Sequence, residues 1–294
     1  MEPHRALRRQ TVAMASRRLA IVGTGLIGAS VGLAAKRAGF HVLGFDPDPQ
    51  AGTLALKRGA LDELGSLGDP LSVELAVVAT PVGELAAAVT RTLASSDEPC
   101  TVTDVGSTKQ TVCAAASGSA RFVGGHPISG AIEGGAAYAR ADLFDDCVWF
   151  LTPLPTTDPR RYERVRAFVA ALGAKPVEIG AAAHDRLLAL TSHLPHALAN
   201  LLANQAGGEP IEGRDPLEAA GRSLRDLTRI AGANPRVWVD VMLDNRDELR
   251  ACLHQHRRLT EELERALAER DADFLTAWIE QARRNRERLH RDRT

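Results

Sequence analysis

The segment "RLAIVGTGLIGAS", which begins at Arg18, constrains the fold more than any other part of the chain. It places an apolar run, a glycine-rich turn and a small-residue helical stretch in direct succession. Glycines at this GxGxxG spacing permit a sharp turn, let a pyrophosphate approach the backbone and let the helix pack on the strand. The free N–H groups at the helix start bind phosphate. The sequence therefore predicts a dinucleotide cradle made of Gly23, Thr24, Gly25, Leu26, Ile27 and Gly28.

Two polar residues follow further apolar runs of the same kind. Asp46 ends the run "HVLGFD", 18 residues after Gly28, and Thr80 ends the run "ELAVVAT". A carboxylate at the first of these places accepts hydrogen bonds from ribose hydroxyls and repels a 2′-phosphate. We therefore predict that Asp46 and Thr80 contact the cofactor and that this cofactor is NAD. A cap of the next helix is the alternative role for Asp46.

Short β-rich runs alternate with alanine-rich helical stretches from residue 17 to 180, and only helical patterns follow. The early β-rich runs are continuously apolar, which is typical of a parallel sheet covered by helices on both faces. We predict an α/β Rossmann-type, doubly wound sheet over residues 17–180 and an all-α dimerisation and substrate domain over residues 181–294. Residues 1–16 are predicted to form a flexible extension, in which Met14 is an alternative start.

The longest helical pattern lies in the second of these domains. Its leucines share one face at nearly heptad spacing, and this face comprises Leu249, Leu253, His256, Leu259, Leu263 and Leu267. Such a face either packs on its own domain or forms a subunit interface. The pattern alone leaves both alternatives open.

The composition argues against several classes of function. The chain of 294 residues carries 36 basic and 37 acidic residues, and this balance gives no field that favours nucleic acid. Its four cysteines lack metal-ligand spacing and suit a reducing compartment. Neither an apolar run of transmembrane length nor a secretory signal is evident. We therefore expect a cytoplasmic protein with no metal, nucleic-acid or membrane partner.

A histidine in the stretch "RFVGGHPISG" is the main candidate for catalysis. His126 and the Ser107 of "DVGSTK" both follow predicted strands, at the edge of the sheet that also carries the glycine turn. Because imidazole titrates near neutrality, His126 suits the role of a base that accepts a hydroxyl proton during hydride transfer. The flanking glycines, Gly124 and Gly125, are expected to leave space for nicotinamide and substrate. The alternative is a structural loop histidine.

These motifs together carry a specific resemblance. "VGTGLIGAS", "DVGSTK", "GGHPISG", "HDRLLALTSHLPHAL" and "RDLTRIAGANPRVW" occur in this order from about residue 17 onward. The chain resembles the prephenate/arogenate dehydrogenase family of tyrosine biosynthesis. The resemblance implies a homodimer that catalyses NAD-dependent oxidative decarboxylation of prephenate, with arogenate or both compounds as the alternative. Two rival functions are a dehydrogenase of small β-hydroxy acids and a non-catalytic NAD(H) sensor.

The resemblance also implies roles for individual residues. His126 would be the proton acceptor, and Ser107 would bond both this histidine and the substrate hydroxyl. His196 would contact the substrate side chain, Arg229 would bind a substrate carboxylate, and Trp238 would line the pocket or the subunit contact. From the residues alone, Arg222 and Arg225 remain alternatives to Arg229.

Three details of the sequence qualify this assignment. Relatives often carry an acid six residues after the histidine, but here Ile132 holds that place and Glu133 follows. Asp185 either contacts a substrate amino group or favours a helix start. Pro195 removes the hydrogen-bond partner of the Thr191 carbonyl and therefore predicts a kink beside His193 and His196.

Overall fold

A computed structural model describes residues 17–66, 69–130 and 134–291. Its single sheet has eight strands, whose order across the sheet is β3-β2-β1-β4-β5-β6-β7-β8. The strands are β1 (Arg18–Val22), β2 (His41–Phe45), β3 (Glu63–Leu64), β4 (Leu75–Val78), β5 (Thr101–Asp104), β6 (Phe122–Pro127), β7 (Val148–Pro153) and β8 (Lys175–Glu178). Neighbouring strands from β3 to β6 are parallel. The predicted doubly wound sheet is confirmed.

The last two strands depart from a purely parallel sheet. β7 runs antiparallel to β6 and parallel to β8. A helix of 13 residues, α5 (Pro159–Ala171), connects β7 to β8, and a crossover of this kind is what parallel neighbours need. The edge strand β3 has only two residues, and the sequence analysis did not predict it.

Five helices cover the sheet, which buries apolar side chains on both of its faces. They are α1 (Leu26–Arg37), α2 (Pro49–Lys57), α3 (Val82–Ser95), α4 (Gln110–Ala115) and α5 (Pro159–Ala171). One core cluster includes Ala34 of α1 and Phe168 of α5. The other includes Leu85 of α3 and Val112 of α4. Because helices cover both faces, the strands carry continuous apolar runs.

The chain is helical after β8. The helices are α6 (Ala181–Leu188), α7 (Leu194–Ala206), α8 (Arg222–Thr228), α9 (Pro235–Asp244), α10 (Arg246–Glu269) and α11 (Ala272–Arg291), with a 3₁₀ turn at Arg229–Gly232. The predicted all-α region is thus confirmed, whereas its boundary at residues 180 and 181 stays a prediction. The extension predicted over residues 1–16 lies outside the described residues, as does Met14. No helix in the described part of the chain is both long and apolar enough to cross a membrane.

A π-helical segment, Ala189–His193, joins α6 to α7. It lies directly before Pro195, whose ring nitrogen cannot donate to the Thr191 carbonyl. Wider π-type hydrogen bonding at this point follows from the missing donor, and π segments are frequent at functional sites. The kink expected at Pro195 stays a prediction, and the widened segment ends at His193.

Candidate active site

The glycine turn between β1 and α1 has the geometry of a phosphate cradle. Gly23 adopts a φ of +96°, and a Cβ there would lie 2.6 Å from the carbonyl oxygen of Ala79. Space around Gly25 is open, with nothing within 4 Å of the place of a Cβ. No side chain caps the helix that begins at Leu26. The turn therefore presents free amides beside open space, as a pyrophosphate needs.

The carboxylate of Asp46 braces this turn. Its Oδ2 accepts hydrogen bonds from the Thr24 amide at 2.6 Å and the Thr24 hydroxyl at 2.9 Å. Its Oδ1 accepts from the Asp48 amide at 2.9 Å. Thr24 is fully buried and commits its hydroxyl to Asp46, so its side chain supports the turn from within. Asp48, rather than Asp46, caps α2.

The Thr80 hydroxyl oxygen is shielded from solvent and has no hydrogen-bond partner among the described residues. It lies just after β4, at the same edge of the sheet as the glycine turn. Its contact with a cofactor stays a prediction.

A chain of hydrogen bonds holds the imidazole of His126 from behind. His126 Nδ1 lies 2.9 Å from Nε2 of His184, and Nδ1 of His184 lies 2.7 Å from Oδ1 of Asp185. His126 is the last residue but one of β6, whereas His184 and Asp185 belong to α6. His126 is 9% exposed and His184 is fully buried. The helical region thus supplies the partner of a histidine that the sheet positions.

Asp185 joins the helical region to the sheet. Besides His184, its carboxylate accepts the amides of Lys109 at 2.7 Å and Gln110 at 2.9 Å, at the start of α4. The Asp185 carbonyl accepts a bond of 2.8 Å from Nδ2 of Asn245. Because Asp185 is only 1% exposed and its carboxylate already holds His184 and the start of α4, the proposed contact with a substrate amino group is wrong.

A buried ion pair fixes the neighbouring strand ends. The ammonium of Lys109 contacts Asp104 Oδ2, and both side chains are fully buried. Asp104 also accepts the amides of Gly106 at 2.8 Å and Gly125 at 3.0 Å. Because breaking a buried pair leaves an unpaired charge, this arrangement strongly constrains the segment before α4 relative to β6.

The glycines before His126 serve the packing of the sheet. A Cβ on Gly125 would lie 2.5 Å from the carbonyl oxygen of Asp104, and one on Gly124 would lie 3.1 Å from Cβ of Thr152. The space expected beside them for nicotinamide is therefore occupied by neighbouring strands, and that expectation is wrong. The close strand packing at β6 is what requires residues without side chains.

Ser107 follows β5 and is partly exposed, on the strand next to that of His126. None of the hydrogen bonds made by the described residues joins Ser107 to His126. His184 occupies the Nδ1 side of the imidazole instead. Only Nε2 of His126 is therefore left for a contact with Ser107 or a substrate.

A second pair of histidines lies along the helical region. His193 is 1% exposed, and its Nδ1 lies 3.0 Å from Nδ2 of Asn245. His196 stacks on Trp238 with ring centroids 3.3 Å apart. Neither Nε2 of His193 nor Nδ1 of His196 has a partner among the described residues. The structure thus brings His196 and Trp238 together, and their contacts with a substrate stay predictions.

Arg229 begins the 3₁₀ turn that follows α8, and its side chain is exposed. Within the described part of the chain it forms no salt bridge. Arg222 instead pairs with Asp226, and Arg225 donates to the carbonyl of Ala220. Of these three arginines, Arg229 is therefore the one whose guanidinium has no partner among the described residues.

Burial and neighbours shift the protonation of the site. Burial, with His184, Lys109 and His193 nearby, lowers the pKa of His126 well below its usual value. Burial would raise the pKa of Asp185, but hydrogen bonds from His184 and two backbone amides outweigh it and lower that pKa. Burial also lowers the pKa of His193 to about 4 and lowers the pKa of His196. His126, His193 and His196 therefore resist protonation, and Asp185 remains ionised.

Sequence reasoning missed the second layer of this site. It assigned no role to Asp104, Lys109, His184 or Asn245, although Asp104 and Lys109 flank Ser107 in the motif "DVGSTK" and His184 precedes Asp185. Ile132 and Glu133, the departure from the expected acid position, lie outside the described residues. No group of three or more potential metal ligands occurs among the residues that the structure describes.

Family models match both parts of the chain. Residues 31–178 match the prephenate dehydrogenase nucleotide-binding domain, and residues 180–281 match the prephenate dehydrogenase dimerization domain. The prephenate dehydrogenase of Bacillus subtilis is 31% identical over 281 residues, which cover 92% of this chain and 75% of that protein. The cyclohexadienyl dehydrogenase of Zymomonas mobilis is 29% identical over 292 residues, covering 93% and 96%.

Solved structures agree with these matches. The prephenate dehydrogenase of A. aeolicus, in complex with hydroxyphenyl propionate and NAD+, superposes with a TM-score of 0.87 at 25% identity, covering 94% of this chain and 99% of that chain. The Synechocystis arogenate dehydrogenase has a TM-score of 0.80 at 26% identity, covering 92% and 99%. Together with the motifs around the glycine turn and His126, these similarities show that the chain belongs to the prephenate dehydrogenase family.

Proposed function

We propose that this protein catalyses the NAD-dependent oxidative decarboxylation of prephenate to 4-hydroxyphenylpyruvate in tyrosine biosynthesis. The observation that carries the proposal is a buried histidine, His126, at the carboxyl edge of a sheet that also bears a dinucleotide cradle. Relatives named for prephenate, arogenate and cyclohexadienyl substrates support this chemistry.

The cradle fits NAD. Open space above Gly25 and the uncapped start of α1 suit the pyrophosphate. The Asp46 carboxylate retains acceptor capacity for ribose hydroxyls, and its charge opposes a 2′-phosphate. Gly23, Gly28, Leu26 and Ile27 shape the turn, while Thr24 braces it through Asp46. We propose a direct contact with Thr80 on the basis of its place beside this turn.

The mechanism assigns His126 the role of base. Bound NAD supplies the acceptor for the hydride from the hydroxyl-bearing ring carbon. As that hydride leaves, His126 takes the hydroxyl proton, the bond to the ring carboxylate breaks, and carbon dioxide departs as the ring becomes aromatic. We assign Ser107 to the exposed side of His126, where it orients the substrate hydroxyl. The proton then returns to the phenolate oxygen, so the reaction releases no net proton.

The helical region holds the substrate. Arg229, exposed and without a salt bridge in the described part of the chain, grips a substrate carboxylate through its two-pronged guanidinium. His196, stacked on Trp238, contacts the substrate side chain. Such contacts orient the reacting carbon toward the nicotinamide, which is an effect of proximity rather than of chemistry.

Prephenate is favoured over arogenate because Asp185, the acid predicted to contact a substrate amino group, is unavailable. Asp185 is buried and engaged by His184 and by two backbone amides. Turnover on each compound with NAD, followed by the absorbance of NADH, tests the choice. A higher kcat/KM on prephenate is expected. Faster turnover of arogenate would reverse the assignment, and turnover of neither compound would favour the non-catalytic alternative.

We also propose that the protein is a homodimer through its helical region. That region exposes large apolar side chains, including Leu190 at 56%, Leu201 at 58% and Leu227 at 65%. The near-heptad face of α10 buries Leu249 but leaves Leu267 59% exposed. The family's dimerization-domain model covers these helices. Light scattering should give twice the chain mass, with Leu227→Asp lowering it, whereas a monomeric wild type would contradict the proposal.

We place the enzyme in the cytoplasm as a further proposal. All four cysteines lie within the described ranges and are free thiols, which suits a reducing compartment. Fractionation of the producing cells should recover the activity with cytoplasmic markers, and recovery outside the cell would contradict it.

A further inference from the structure

His184 and Asp185 lie outside the set of residues that would touch substrate or cofactor, yet they hold the imidazole that would do the chemistry. Resting on the proposed function of His126, we propose that they are positioning residues. They fix the imidazole of His126 in the tautomer that carries its proton on Nδ1. This leaves Nε2 free to accept the substrate proton.

The direction of each hydrogen bond follows from what its partners can do. An ionised carboxylate only accepts, so Nδ1 of His184, 2.7 Å from Asp185 Oδ1, must donate. When the His184 ring carries a single proton, that proton is therefore on Nδ1, and the bare Nε2 can only accept. His126 Nδ1 lies 2.9 Å from that nitrogen and therefore carries the proton of this bond. The lone pair of His126 is consequently on Nε2.

The residues around His184 and Asp185 hold this series of hydrogen bonds in place. The ring of His184 is fully buried and meets the rings of His126 and Phe150 edge-on, with centroids 5.1 and 5.7 Å away. Asp185 is held by two amides at the start of α4 and, through its carbonyl, by Asn245. Neither His184 nor Asp185 can turn away without leaving buried polar atoms unpaired.

The hydrogen bonds among His126, His184 and Asp185 also stabilise the proton after His126 has accepted it. Bond making is confined to one end: the substrate O–H bond breaks and an N–H bond forms at Nε2 of His126. The other two protons stay on their nitrogens. The hydrogen bond from Nδ1 of the resulting imidazolium to His184 becomes charge-assisted, and Asp185 supplies the compensating negative charge.

Other charged groups also face this histidine. The titratable groups around the His126 ring are His184, Asp185, His193 and Lys109 with its partner Asp104. Lys109 is neutralised by Asp104, and burial keeps His193 uncharged above a pH of about 4. Asp185 is therefore the group from which the imidazolium of His126 gains its stabilisation.

The tautomer can be observed without turnover. In enzyme labelled with ¹⁵N in its histidines and free of substrate, the His126 signals are those missing from His126→Asn. Near neutral pH we expect a protonated, pyrrole-like Nδ1 and a bare, pyridine-like Nε2. A proton on Nε2 with a bare Nδ1 would overturn the proposal. Because no substrate is present, this result is independent of which compound the enzyme oxidises.

Two substitutions of His184 separate positioning from mere packing. His184→Gln can place a carbonyl oxygen near the former Nε2 and still accept from His126. His184→Asn can donate to Asp185 from near the former Nδ1 but does not reach His126. We expect kcat to fall on the order of 10²-fold in His184→Asn and much less in His184→Gln. The exposed His254→Asn serves as the surface control.

The pH profile provides the readout that a packing defect would not move. Without its acceptor, the His126 imidazolium is less stable, so the acid limb of kcat should shift to lower pH in His184→Asn. His184→Gln should keep that limb closer to the wild type. Equal kcat losses in both variants with an unmoved acid limb, at matched melting temperatures, would overturn the positioning role. Inactivity of the wild type on both substrates, with the Nδ1-protonated tautomer present, would instead reject the proposed function.

Discussion

The two histidine pairs of this protein are used in opposite ways. In the first pair, both ring nitrogens of His184 have partners. Its Nε2 contacts Nδ1 of His126, and its Nδ1 contacts Oδ1 of Asp185. In the second pair, His193 and His196 each keep one buried nitrogen without a partner among the described residues. The first pair is a finished internal network. The second, beside Trp238, is incomplete in the single chain.

This difference indicates that the two pairs have different roles. The first pair joins β6, whose residues are all buried, to the buried side of α6, and such burial suits a group whose proton must stay on one atom. The second pair lies in the helical region, where α8 and the 3₁₀ turn at Arg229–Gly232 bury no residue. We infer that orientation of the proton acceptor is built into the fold, whereas recognition of the substrate is completed on binding.

Replacing His126 tests the finished pair and has the largest expected effect. His126→Asn removes the proton acceptor, so kcat should fall about 10³-fold. Affinity for NAD, measured by calorimetry, should stay nearly unchanged because His126 does not belong to the glycine turn. Near-wild-type turnover in this variant would eliminate His126 as the base.

Replacing His193 tests whether the second pair is held neutral. Its pKa falls from 6.5 to about 4 on folding, so the unfolded chain binds more protons in this window. The contribution of His193 to the free energy of unfolding should therefore be fully present above pH 6.5. It should be lost as the pH falls toward 4, by up to about 3 kcal/mol. Urea unfolding across this range should show a shallower decline in His193→Asn. An identical decline in both proteins would contradict the assignment.

Replacing Arg229 tests recognition in the open region. Arg229→Ala should raise KM for prephenate by about 10- to 100-fold, the scale of a charge-assisted hydrogen bond, while kcat changes less. Arg222→Ala is the matched control, because that guanidinium already pairs with Asp226. Equal KM values in the two variants would remove Arg229 from the carboxylate site.

The smallest expected effect concerns the stack beneath His196. Trp238→Phe keeps an aromatic face but reduces its area, so KM should rise only a few-fold, corresponding to about 1 kcal/mol. Trp238→Ala should exceed it. If both substitutions left KM unchanged, the stack with His196 would have no part in substrate binding.

The sequence predicted what local periodicity controls. The glycine turn, the apolar parallel strands and the position of His126 at a strand end all follow from short patterns. The hydrogen bonds from His126 through His184 to Asp185 do not follow from such patterns, because His184 lies 58 residues from His126 and only tertiary packing brings them together. Packing also decided the role of Gly125, which faces the Asp104 carbonyl, and of Asp185, which caps α4 instead of meeting a substrate.

The proposed reaction couples hydride transfer to loss of the ring carboxylate in one active site. Prephenate labelled with ¹⁴C in that carboxylate, incubated with the enzyme and NAD, tests it directly. We expect labelled carbon dioxide and NADH in equal amounts, with both lost together in His126→Asn. NADH formed without labelled carbon dioxide, or carbon dioxide released without NADH, would contradict it.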